Sequence, residues 1–236
     1  MSSNLTLYSW ATPNGIKATI TLEELGVPYN LEKVDITTNV QKEEWFLKIN
    51  PNGRIPALTD GSQRVFESGS IMLYLADKYD TDRKISYAPG TPEYIEQVSW
   101  LMFQMGGLGP MQGQANYFRV FAGVRSDFAI QRFIEETKRL YSVLESRLKE
   151  SAYLAGEKYT IADIASYSWV RFGPPALELD LSEFPAVKKW ADEIGKRAAV
   201  QKGANLPDTG RTDADREAFY KMMRARIDGL TSTDKH

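Results

Sequence analysis

The sequence predicts an α/β plus all-α protein: a small α/β domain over residues 1–82, followed by a helical-bundle domain over 91–229. Two observations carry this. Short strand-like and helix-like segments alternate as far as Tyr79, and beyond a polar stretch from Asp80 to Pro92 every periodic segment has the helical spacing.

In the first part, residues 5–9 (LTLYS) read as a strand. Asn14-Gly15 then opens a helix whose apolar positions Ile16, Ile20 and Leu25 share a face, and Gly26 stands where a C-terminal cap belongs. Tyr29 to Val34 gives a second strand, and Lys42 to Asn50 a short helix stopped by Pro51. Asp60-Gly61 between two short apolar runs signals a hairpin, after which a helix runs from about Ser68 to Tyr79. The order is β-α-β-α-β-β-α. The second part reads as helices near 93–105, 126–149, 161–172, 185–199 and 214–228, the first broken or kinked by the GGLGP run at 106–110.

Composition narrows the chemistry. A chain of 236 residues, 42% hydrophobic, can bury a sizeable core. With 29 basic and 31 acidic residues its net charge is −2, which gives no field for nucleic acid or an acidic membrane. No run approaches the roughly 18 apolar residues of a membrane span, and no basic-then-apolar leader opens the chain, so a cytoplasmic location is expected. Cysteine is absent and the single histidine is His236, at the very end. Disulfides, metal sites and protein-borne thiol or Ser-His nucleophiles are therefore not expected. The reactive atom would have to arrive with a bound molecule.

Three local features point to such a molecule. Arg54-Ile55-Pro56-Ala57-Leu58 suggests a fixed, cis-capable Ile-Pro bond that leaves the Ile55 backbone able to pair with an extended peptide; a plain loop before an edge strand is the alternative. Glu67-Ser68 opens a helix, offering a hydroxyl and free N–H groups for a carboxylate and an acid for an ammonium, although Ser68 would serve equally as a simple N-cap. Ala11-Thr12-Pro13-Asn14-Gly15 places a hydroxyl and an amide at another positive helix end, where a thiolate would be stabilised; Asn14 capping its own helix is the competing reading.

Together these features resemble the glutathione site of the glutathione transferase superfamily, over nearly the whole chain. Gly156-Glu157-Lys158-Tyr159-Thr160-Ile161-Ala162-Asp163 is similar to that family's capping segment, with Thr160 and Asp163 at capping-box spacing. Thr-Pro-Asn-Gly-x-Lys near the N-terminus, Gln-Ala-Asn-Tyr-Phe at 114–118 and Glu-Thr-Lys-Arg-Leu-Tyr at 136–141 resemble one branch, joining the bacterial nu class to fungal proteins similar to the yeast nitrogen-catabolite regulator.

The resemblance implies a thioredoxin-like N-terminal domain, glutathione as co-substrate, no metal, and a homodimer. It implies Asn14 and Thr12 beside the glutathione sulfur, Ile55 on the cysteinyl backbone, Glu67 and Ser68 on the γ-glutamyl head group, and Gln41 and Arg54 toward the glycine carboxylate. Arg132 is the candidate for a second glutathione carboxylate. The branch implies disulfide-bond reduction, while attack on an electrophilic carbon or a peroxide needs the same thiolate. Trp10, Tyr117, Phe118 and Phe121 are candidates for the apolar pocket, or else for the core. A non-catalytic regulator or ligand carrier on the same fold is the alternative function, although no Asn/Gln-rich tail precedes the first strand; a subunit of a larger assembly is another.

Overall fold

The computed structural model describes residues 4–234; His236 lies outside them. Strand β1 (Leu5–Ser9) buries Leu5, Leu7 and Ser9 in alternation and sits in the middle of a four-stranded sheet. Helix α1 (Gly15–Leu25) ends at Gly26, which adopts φ 65° and returns its N–H to the carbonyls of Leu22 and Glu23. Strand β2 (Asn30–Lys33) pairs parallel to β1, and β3 (Ala57–Asp60) pairs antiparallel on its other side. The hairpin to β4 (Gln63–Phe66) turns at Gly61, where φ is 57°. Helix α3 (Ser68–Tyr79) completes the expected order, giving a sheet arranged β2-β1-β3-β4.

One helix is shorter than its sequence suggests. Instead of a single run from Lys42 to Asn50, there is a 3₁₀ turn at Val40–Lys42 and a one-turn α2 (Glu44–Leu47). Glu43 interrupts them in extended conformation, and only Phe46 of α2 is buried, so little packing holds a longer helix.

The helical half contains α4 (Pro92–Phe103), α5 (Gly109–Asn116), α6 (Asp127–Glu150), α7 (Ile161–Val170), α8 (Gly173–Leu177), α9 (Pro185–Gly195), α10 (Ala198–Gly203) and α11 (Asp213–Asp228). The GGLGP run does not break the chain direction into a loop. A π-helical turn at Gln104–Leu108 carries α4 into α5, since Pro110 has no N–H for a regular ladder. A second π turn, Tyr117–Phe121, follows α5. The helix expected over 185–199 divides between Gly195 and Ala198, where Arg197 is extended.

The two halves share apolar core. Ile16 and Ile20 of α1, with Met72 and Ala76 of α3, join the cluster containing Leu101, Leu140, Ile164 and Trp190. Ala18, Leu22, Ile71 and Leu75 of the same two helices face the sheet with Leu5, Leu7 and Leu58. Helices α1 and α3 are therefore two-faced, and neither half can be withdrawn without exposing both. Beyond α11 the chain returns to the start of α6, where the Asp234 carboxylate accepts from the Phe128 N–H and the Ser126 hydroxyl at 2.7 and 2.8 Å.

The capping box forms as the spacing predicts. The Thr160 N–H donates to Asp163 Oδ2 at 2.9 Å, while Asp163 Oδ1 accepts from the Leu154 N–H and the Trp190 indole N–H at 2.9 and 3.0 Å. Every residue of α7 is buried. Burial lifts the Asp163 carboxyl to about 6, against the pull of these donors toward the ionised form. Thr160→Ala should cost about 1 kcal/mol. Asp163→Ala should cost more, about 2–4 kcal/mol, because it strands the Leu154 and Trp190 donors in the core. Denaturant unfolding of both variants checks the order.

Candidate functional site

A cavity of about 1210 Å³ lies between the C-terminal end of the sheet and the helical half. Trp10, Thr12, Asn14, Gln41, Arg54, Ile55, Glu67 and Ser68 form its wall on the sheet side. Seven of the eight predicted site residues, all but Arg132, thus meet in one place.

Their placement begins with Gly15. A Cβ there would lie 1.9 Å from the Trp10 carbonyl oxygen, so only glycine lets the end of β1 fold back against the first turn of α1. Thr12 then does the capping: its hydroxyl accepts from the Gly15 N–H at 3.1 Å and its carbonyl from the Ile16 N–H at 3.0 Å. Asn14 makes no capping bond. Instead its Oδ1 accepts from the Trp169 indole N–H, 3.0 Å away on α7. An indole can only donate, so the amide oxygen must face Trp169 and the NH₂ group is left as the donor of a residue that lines the cavity. Trp169 is held in turn, its carbonyl accepting from Gln112 Nε2 at 2.8 Å, with Gln112 Oε1 accepting from the Tyr141 hydroxyl at 3.2 Å.

The Ile55–Pro56 bond is cis, and among the described residues the Ile55 backbone N–H and C=O make no hydrogen bond. Both groups are thus open to an extended ligand on the cavity wall. Glu67 has φ 69°, a conformation that a non-glycine residue adopts at a cost, and Ser68 begins α3 buried against its first turn. Gln41 is buried with its Oε1 unpartnered, and Arg54 makes no ion pair among the described residues. A backbone segment, an acid, a helix start, an amide and a cation around one cavity fit a short zwitterionic peptide.

Comparison with known proteins gives the same answer. The glutathione S-transferase N-terminal domain model matches residues 3–77 and the C-terminal domain model residues 125–198. The disulfide-bond oxidoreductase YfcG of Escherichia coli is 44% identical over 201 residues, covering 82% of this chain and 91% of its own. The chain belongs to the glutathione S-transferase family. Two solved transferases superpose closely. One from Lodderomyces elongisporus, with two glutathione molecules per subunit, has TM-score 0.83 and 41% identity, covering 88% of this chain and 100% of its own. The other, URE2P6 from Phanerochaete chrysosporium in complex with oxidised glutathione, has TM-score 0.82 and 43% identity over 85% and 94%. The family branch is that of the bacterial and fungal proteins the sequence resembles.

The opposite wall of this transferase is aromatic and comes from the helical half: Tyr117, Phe121, Phe172, Phe219 and Tyr220, with Asn116, Arg211 and Arg216 among them. Tyr117 and Phe121 are each about half exposed, at 51% and 50%, so they are presented to the cavity and not consumed by the core. Phe118 is not on this wall; it stacks on Phe133 at 5.8 Å between α6 and the second π turn. Arg132 also stands apart. It is exposed on α6, whose neighbouring Phe133 and Ile134 turn inward, and the cations that line the cavity are Arg54, Arg211 and Arg216.

Sequence reasoning missed Trp169, the last turn of the wall at Thr209–Tyr220, and the surroundings of Lys17. A tryptophan inside a fully buried helix was the available signal, since its N–H must find an acceptor. Lys17 is completely buried: Nζ donates to Ser68 Oγ at 3.2 Å and to Gln104 Oε1 at 2.5 Å, and lies 3.3 Å from Met105 Sδ. Removal of its solvation lowers the ammonium to about 7, partly opposed by Glu67.

If Trp169 orients Asn14, Trp169→Phe should lower glutathione-dependent turnover about tenfold, the equivalent of one hydrogen bond, while glutathione binding changes less than about threefold. Steady-state kinetics beside titration calorimetry separate the two effects.

Proposed function

We propose that this glutathione transferase is a glutathione-dependent disulfide reductase, in which Asn14 and Thr12 stabilise the thiolate of bound glutathione. The observation that carries the reading is the Asn14 amide, held through its oxygen by Trp169 so that its NH₂ group is available at the head of α1. In a chain with no cysteine, that donor has no protein thiol to serve.

Glutathione brings the nucleophile, and the chain binds and polarises it. Ile55 pairs with the cysteinyl backbone, Glu67 and Ser68 take the ammonium and carboxylate of the γ-glutamyl head, and Arg54 with Gln41 meets the glycine end. A free thiol has a pKa near 8.5, so little thiolate is present at neutral pH. Lowering it by about two units corresponds to about 2.7 kcal/mol, within reach of an amide donor plus the positive end of an 11-residue helix. Attack on a disulfide then expels one thiolate and leaves a mixed disulfide, which a second glutathione thiolate reduces. The cavity, about 1210 Å³, has room for a second reactant against Tyr117, Phe121 and Phe219. Conjugation of an electrophilic carbon or reduction of a peroxide would begin from the same thiolate.

The working unit in this reading is a cytoplasmic homodimer, for which exposed Phe66 on β4 and Ile95 and Met102 on α4 offer apolar surface. Neither nucleic acid nor membrane enters it: the net charge is −2, and no described helix is long and apolar enough to cross a membrane.

The test is reduction of a small model disulfide by glutathione, using wild type and Asn14→Ala, with glutathione binding followed by calorimetry. Turnover should fall about 10- to 100-fold in the variant, with binding largely kept, if the amide supplies most of the thiolate preference. Wild-type binding without turnover would move the protein to a carrier or regulatory role. Absence of binding to reduced and oxidised glutathione alike would overturn the glutathione reading itself.

A further inference from the structure

Lys17 is a fully buried ammonium with no part in the sulfur chemistry, and it lies directly behind one residue of the cavity wall. An ammonium has three protons to give and no lone pair, so in the bond to Ser68 it must be the donor. The Ser68 oxygen is thereby held as an acceptor on its buried side. Its own hydrogen has only a weak contact, Met105 Sδ at 3.5 Å, and is available for a ligand carboxylate at the start of α3. A deprotonated Lys17 has a lone pair and can accept from Ser68, drawing that hydrogen inward.

The surroundings leave few competing charges. On α3, Lys17 faces Ser68 and the charge of Glu67; in the π turn it meets Gln104 and Met105, both uncharged. The acid of α7, Asp163, is occupied by Thr160, Leu154 and Trp190, and the cation of α10, Lys202, pairs with Glu23 at 2.7 Å. A carboxylate hydrogen-bonded to Ser68 Oγ would stand about 5 Å from Nζ, close enough to favour the ammonium.

Building on the glutathione reading, we propose that Lys17 is a positioning residue for the γ-glutamyl carboxylate: its charge fixes Ser68 as a hydroxyl donor, and carboxylate binding draws a proton onto Lys17. Because Gln104 and Met105 belong to the helical half, the same ammonium ties occupancy of the head-group subsite to the turn between α4 and α5. The sign follows from burial, which lowers the ligand-free ammonium to about 7. Affinity is full well below pH 7, where Lys17 is already charged, and falls as the pH rises through 7 toward 8, where binding must first protonate it.

S-methylglutathione is the probe, since it has the head group but no thiol to titrate. Calorimetry of the wild type at pH 7.5, in two buffers of different ionisation enthalpy, should show uptake of a substantial fraction of a proton, with affinity falling severalfold between pH 6.5 and 8. Lys17→Met should bind about tenfold more weakly at pH 6.5, with no proton uptake and a flat profile over this range. Binding by the wild type without proton uptake would overturn the role of Lys17 and leave the glutathione reading standing, as would a Lys17→Met protein that keeps the wild-type profile. Should that variant not fold, the wild-type proton count decides alone. No binding of S-methylglutathione at any pH would instead strike at the glutathione reading.

Discussion

Helix α1 is buried without interruption from Gly15 to Leu22, and the rest of the molecule is arranged around that constraint. A helix with no solvent face must find a partner inside the protein for each polar group it carries. Thr19 donates to the Gly203 carbonyl on α10 at 2.6 Å, and Thr21 to the carbonyl of Lys17 at 2.8 Å. Lys17 reaches α3 and the π turn. Close contact is part of the same arrangement: a Cβ on Gly203 would lie 2.6 Å from the Ile20 backbone, so α10 can approach α1 only as glycine. The cavity sits at the N-terminal end of this helix, where the dipole points and where nothing can shift without disturbing both cores.

The sheet half was largely legible because its signals are local. Gly26 as a cap, Asp60-Gly61 as a hairpin, Ile55-Pro56 and the Glu67-Ser68 helix start each depend on neighbouring residues, and all stand where the spacing placed them. The helical half was legible in its long, amphipathic members and less so elsewhere. α5 and α8 are short and carry Gly and Pro, which sequence patterns treat as breakers; packing against α6 and α11 holds them.

The site divides along the same line. Thr12, Asn14, Arg54, Ile55, Glu67 and Ser68 stand in short motifs legible in the sequence, Gln41 came from the family resemblance, and all seven line the cavity. Which of Thr12 and Asn14 caps the helix was not legible there, since the answer lies in Trp169, 155 positions away on another helix. Arg132 and Phe118 lie off the cavity wall for a related reason: on a helix, a one-residue step turns a side chain by about 100°, and the sequence alone does not say which face of α6 or the π turn meets the cavity.

The two walls of the cavity come from different stretches of the chain. The sheet-side wall is drawn from residues 10–68, within the stretch matched by the family's N-terminal domain model, whereas Thr209, Arg211, Arg216, Phe219 and Tyr220 lie past the end of the C-terminal match at residue 198. These late residues touch neither Asn14 nor its support through Trp169 and Gln112 by hydrogen bond. In the proposed glutathione reading, substitution there would exchange one second reactant for another while the Asn14 side of the cavity is preserved. On that reading, laboratory evolution of new specificities should begin at the seven positions between Thr209 and Tyr220 that line the cavity.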